Sequence, residues 1–188
     1  MAKAITEITA PAPVASAVLV AEGARTGSGM SGFGYGLLAA LFSCLLPLAA
    51  VLFMVRTQRL TDHHVKVRAQ RALPLGIGIA CTTTGIALLA GSGAPSELVR
   101  VTLAMLVGLI VALLINLRWK ASIHTAVMAG SVVLLTTLAG PVWLFAGLLV
   151  PVTAWSRVVC RDHTPAETLA GATFGAVTSA VMLQLLVG

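Results

Sequence analysis

The chain has 188 residues, of which 58% are hydrophobic and only 10% charged. A soluble domain carries charge on about a quarter of its residues, so this composition excludes an ordinary water-soluble globule and makes lipid the solvent. Twelve Lys and Arg against six Asp and Glu give a net charge of +6, but the cations sit in short clusters between apolar runs, which argues against a nucleic-acid-binding face.

Residues 1–33 are rich in Ala, Thr, Pro and Gly, with Pro11 and Pro13 interrupting the one weakly apolar stretch, and are expected to form a flexible N-terminal tail. The tail ends in Gly27-Ser28-Gly29-Met30-Ser31-Gly32, a formal G-x-G-x-x-G. No strand precedes it and a membrane helix follows, so it is read as a flexible hinge and not as a dinucleotide site. Residues 34–188 then read as one all-α membrane domain. A span needs about 17–25 residues. Six are predicted: Gly34–Val55 with a kink at Pro47, Pro74–Ala90, Leu98–Leu117, Thr125–Leu138, Val142–Trp155 and Ala166–Val187. The fourth and fifth are short, separated by the turn Ala139-Gly140-Pro141.

The breaks after the first, third and fifth spans hold nine of the twelve cations, and all four histidines. The positive-inside rule puts these loops in the cytoplasm and both termini outside, in the cell membrane. Cys44, Cys81 and Cys160 show no paired spacing, so neither a disulfide framework nor a zinc site is expected. Trp119, Trp143 and Trp155 suit an aromatic belt.

The third loop, Ser156-Arg157-Val158-Val159-Cys160-Arg161-Asp162-His163-Thr164-Pro165-Ala166-Glu167, resembles the S-R-x5-H-x3-D signature of the type 2 phosphatidic acid phosphatase superfamily, with Glu167 in place of Asp. The second, Lys120-Ala121-Ser122-Ile123-His124, resembles a degenerate P-S-G-H. The first, His64 to Arg71, resembles K-x6-R-P, with His64 where Lys is expected and Pro74 arriving late. The resemblance implies a metal-independent, cofactor-free phosphatase acting on a lipid phosphate or diphosphate, with an isoprenoid chain preferred. His163 would be the nucleophile, Glu167 its orienting partner and His124 the acid for the leaving oxygen. Arg71, Arg157 and Ser122 would hold the phosphate, with Lys120, Arg68 and His64 as further members of that site. Two other outcomes are consistent with the departures from the motifs: transfer or cyclisation of a bound prenyl diphosphate, and binding of a lipid phosphate without catalysis.

The chemistry agrees with that resemblance. Phosphoryl transfer needs mainly positioning and charge stabilisation, and arginine forks bind phosphate oxygens in bidentate fashion. Ser122 and Thr164 each precede an apolar helix whose N-terminal N–H groups attract anions. Thr164-Pro165-Ala166-Glu167 is also a capping box with proline at the first helical position, which gives Glu167 a competing structural role.

Overall fold

The structure, a computed structural model, covers residues 1–65 and 67–187, without the side chain of Val187; Lys66, one of the nine clustered cations, and Gly188 lie outside the described residues. The described residues form helices and turns only, and six helices are long and apolar enough to cross a membrane: Ala2–Thr26, Gly29–Arg56, Arg68–Gly91, Ser96–Arg118, Pro141–Val159 and Pro165–Leu186. The protein is an all-α integral membrane protein of the helical-bundle class.

The six are not the same six that hydropathy marks out. The expected flexible tail is helical, as α1 (Ala2–Ile8) and α2 (Pro11–Thr26). Pro11 and Pro13 do not break α2 because both sit in its first turn, where backbone N–H groups have no intrahelical acceptor. On α2, Glu22 is buried and accepts two hydrogen bonds from Arg25, at 2.9 and 2.7 Å, so the two charges of this apolar stretch neutralise each other. Conversely, the helix expected as the fourth span, α7 (Ile123–Ala139), has 17 residues and is shorter than the six.

The chain divides into two compact units. One comprises residues 19–119. Here α2 turns into α3 (Gly29–Ala40), and the supposed hinge is a tight hairpin. A methyl on Gly23 would collide with the Gly32 carbonyl and the Gly36 backbone, so only glycine allows this crossing. The chain continues through a π-helical segment, Leu41–Leu45, into α4 (Leu46–Arg56). Pro47 has no N–H for the preceding turn and its ring crowds the carbonyl four residues back. The helix widens there, with the Leu46 N–H bonded to the Leu41 carbonyl, in place of the expected simple kink. After the first loop come the 3-10 turn Arg68–Gln70, α5 (Ala72–Gly91) and α6 (Ser96–Arg118). The Tyr35 hydroxyl donates to the Ser92 carbonyl at 2.8 Å, tying the start of α3 to the α5–α6 turn.

The other unit comprises residues 1–18 and 120–188. It contains α1, α7, a 3-10 stretch Pro141–Leu148, α8 (Leu149–Val159) and α9 (Pro165–Val187). The α7–α9 crossing is its closest: side chains on Gly171 or Gly175 would run into the backbone of Ser122 or Ala126. Against the C-terminal end of α8 lies α1, whose Thr6 hydroxyl donates to Ser156 Oγ at 3.2 Å. The N-terminus therefore sits at the His163 end of this unit, while α9 carries the chain to the opposite end. The sequence expectation puts both termini on the face away from the histidine loops; here the helical segment Ala2–Thr26 is long and apolar enough to supply a further crossing ahead of the expected six.

Candidate functional site

The site's frame is the end of α8. Helix α8 closes in a Schellman motif, the Asp162 N–H bonding the Arg157 carbonyl at 3.0 Å and the Arg161 N–H bonding the Val158 carbonyl at 2.9 Å. The motif needs a left-handed residue after the helix, and this one is Arg161, with φ 57°, where glycine is usual. That reversal folds Asp162 back over its own helix. Its Oδ2 lies 3.0 Å from Arg157 Nη1, and both side chains are buried. The His163 N–H also reaches the Arg157 carbonyl, at 3.3 Å, so nucleophile candidate and arginine share one turn.

Helix α9 starts immediately afterwards. The Thr164 and Glu167 pair forms the anticipated capping box: each backbone N–H donates to the other's side-chain oxygen at 3.2 Å. His163 Nδ1 lies 2.8 Å from Glu167 Oε2, the same oxygen that accepts from Thr164. Cap and histidine partner are thus one carboxylate in one conformation. A neutral ring that donates from Nδ1 to this carboxylate carries its lone pair on Nε2.

The second loop is stitched to the third. The Ser122 N–H donates to the Glu167 carbonyl at 3.0 Å, Thr125 Oγ1 to the Thr168 carbonyl at 2.8 Å, and Lys120 Nζ to the Asp162 carbonyl at 2.6 Å. Ser122 caps α7, its Oγ accepting from the Thr125 N–H at 3.5 Å. His124, in the first turn of α7, is buried. Six of the nine sequence-derived site residues, Lys120, Ser122, His124, Arg157, His163 and Glu167, thereby fall in one unit, linked chiefly by hydrogen bonds between α7 and α9. An open cleft of about 400 Å³ is lined by Lys120, Val158, Arg161, Asp162, His163, Thr164, Pro165 and Glu167.

The other three candidates, His64, Arg68 and Arg71, belong to the 19–119 unit. Helix α4 ends in a second Schellman motif, with Gln58 left-handed at φ 57°. The loop then folds over Met54, Leu60 and Val65. Asp62 Oδ1 accepts from the His64 N–H at 2.9 Å and so shapes this loop. The His63 and His64 rings lie 4.0 Å apart. Arg71, buried, donates from Nε to the Val65 carbonyl at 2.9 Å. Arg68 Nη1 donates to the Leu117 carbonyl at 3.1 Å and the Asn116 carbonyl at 3.4 Å, an arginine cap on the last turn of α6.

Three participants escape the sequence reading. Asp162 and Arg161 are ordinary loop charges until the left-handed turn is seen. Asn116, buried near the end of α6, returns a hydrogen bond from Nδ2 to the Arg68 carbonyl at 3.3 Å. Comparison with family models, with curated proteins and with solved structures gives no match to this chain.

Proposed function

We propose that the protein is a membrane-embedded, metal-independent phosphatase that removes phosphate from a lipid phosphate or diphosphate, with an isoprenoid chain as the preferred substrate, through a phosphohistidine intermediate. The observation that carries this reading is the 2.8 Å contact of His163 Nδ1 with Glu167 Oε2. A carboxylate on Nδ1 fixes the tautomer, leaves Nε2 as the attacking atom, and stabilises the cation that forms as the N–P bond is made. The resemblance of the third loop to the type 2 phosphatidic acid phosphatase signature supports the same assignment.

In this reading Arg157 and Ser122 hold phosphate oxygens around His163, Lys120 holds oxygens at the outer edge of the cleft, and His124 protonates an alcohol leaving group. The clustering of cations in the histidine loops supports their placement on the cytoplasmic face of the cell membrane. One observation favours a second reading, non-catalytic binding of a lipid phosphate: Arg157 is already paired with a buried carboxylate. Phosphate release from farnesyl phosphates and from phosphatidate by purified protein tests the choice. Release that His163→Ala abolishes is expected. Binding without release would identify the second reading, and a prenyl product of altered skeleton would point to transfer or cyclisation.

A further inference from the structure

The cleft beside His163 carries more positive charge than its ion pairs consume. Arg157 is matched by Asp162, and Glu167 faces His163. Lys120 and Arg161 line the same cleft, and among the described residues neither has a carboxylate partner. The Lys120 ammonium gives one proton to the Asp162 carbonyl, which is neutral, and retains two donors and its full charge. Arg161 is an exposed cation fixed at the cleft by a backbone conformation that an arginine adopts at a cost. A helix stop alone would be better served by glycine. The cleft thus has two tiers: an inner one at the buried His163, and an outer one with Lys120 and Arg161.

We infer that Lys120 and Arg161 form a second phosphate subsite, and that the substrate class is a lipid diphosphate. This rests on the phosphatase reading above. The terminal phosphorus lies at His163 and the phosphate next to the lipid in the outer tier. Nε2 of His163 bonds to the terminal phosphorus as that atom's bond to the bridging oxygen breaks. The electron pair leaves on the bridging oxygen, giving a lipid monophosphate whose charge Lys120 and Arg161 stabilise. Water then adds its oxygen to phosphorus as the N–P bond breaks. The electron pair returns to Nε2, and inorganic phosphate departs with the spare proton released to solvent. A phosphate leaving group needs little protonation, which suits a cleft whose lining does not include the buried His124.

The test compares farnesyl diphosphate with farnesyl monophosphate on the purified full-length protein, and the readout is the ratio of the two kcat/KM values. Arg161→Gly suits the left-handed position and should hold or raise the melting temperature; Lys120→Gln keeps a donor for the Asp162 carbonyl. Wild type is expected to prefer the diphosphate. Either variant should lower the diphosphate-to-monophosphate ratio by about tenfold or more, the loss expected of one charge-assisted contact. A wild-type preference for the monophosphate, or a ratio unmoved in both variants, would overturn the subsite and leave the phosphatase reading intact. Hydrolysis of neither substrate would instead remove the phosphatase reading itself.

Discussion

At Glu167 one carboxylate oxygen serves both the Thr164 N–H and the His163 ring. A glutamine there can still accept the N–H, but it cannot stabilise an imidazolium as a carboxylate does. Glu167→Gln should therefore keep a melting temperature close to wild type while lowering phosphate release by roughly two orders of magnitude. Glu167→Asp should fall between them. Equal turnover in wild type and the Gln variant would reduce Glu167 to a cap. Asp162 is expected to behave in the opposite way. Removing it takes a carboxylate from a buried guanidinium, so Asp162→Ala should cost about 3–5 kcal/mol of stability, read by denaturant unfolding in mild detergent. The apolar pair Arg157→Met with Asp162→Leu should recover most of that stability without recovering activity. These residues differ in how plainly the sequence announces them. His163, Glu167 and the capping box are legible because their partners lie within one helical turn. Asp162 and Arg161 acquire meaning only from the left-handed turn, and nothing in Cys160-Arg161-Asp162 signals such a turn when the expected glycine is absent.

Among the elements, α7 and α9 carry the alignment of the second and third loops. Their backbones approach so closely that a methyl at Gly175 meets the Ala126 backbone, whereas one at Gly108 on α6 meets nothing within 4 Å. Gly175→Ala should lower stability by about 1–3 kcal/mol, the range for overpacking, and reduce activity with it, because Ser122 and Glu167 are held in register by that crossing. Gly108→Ala should be neutral or slightly stabilising. Thermal unfolding of the two variants side by side checks the contrast; equal effects would show that the α7–α9 approach is looser than described. Helix propensity and hydropathy mark seven of the nine α-helices among the described residues as membrane segments or parts of them. Helices α1 and α2 are not legible this way, because proline breaks a helix only beyond its first turn and Pro11 and Pro13 stand within it. The expected hinge at Gly27 to Gly32 is instead flanked by two glycine pairs, Gly23 with Gly27 and Gly32 with Gly36, each at the four-residue spacing of close helix contacts.

For the whole molecule, the N-terminal helix decides which side the chain starts on. Residue 3 lies at the His163 end of its own unit, by the α1 contact with Ser156, while the positive-inside rule assigns Thr57, after α4, to the cation-rich side and Ser96, at the start of α6, to the other. In a cysteine-free background, an impermeant maleimide on intact cells should label Ser96→Cys and spare Lys3→Cys and Thr57→Cys. Labelling of Lys3→Cys with Thr57→Cys protected would mean that the N-terminal helix does not cross. The short helix α7 has a consequence of a different kind. Its 17 residues rise about 25 Å, against ~30 Å of hydrocarbon, while the 23 residues of α9 rise about 35 Å. Hydrogen bonds align the two helices at the histidine end, so the shortfall lies at the far end, where Val142, Leu144, Phe145 and Leu148 are exposed on the Pro141–Leu148 stretch. That leaflet must thin, or this apolar stretch must sink into it, and either strain pulls on the α7–α9 register. Bilayer thickness then becomes a control on the reaction: vesicles of 14-carbon lipids should support faster phosphate release than vesicles of 22-carbon lipids, and rates that ignore chain length would show that the far end yields without disturbing the site.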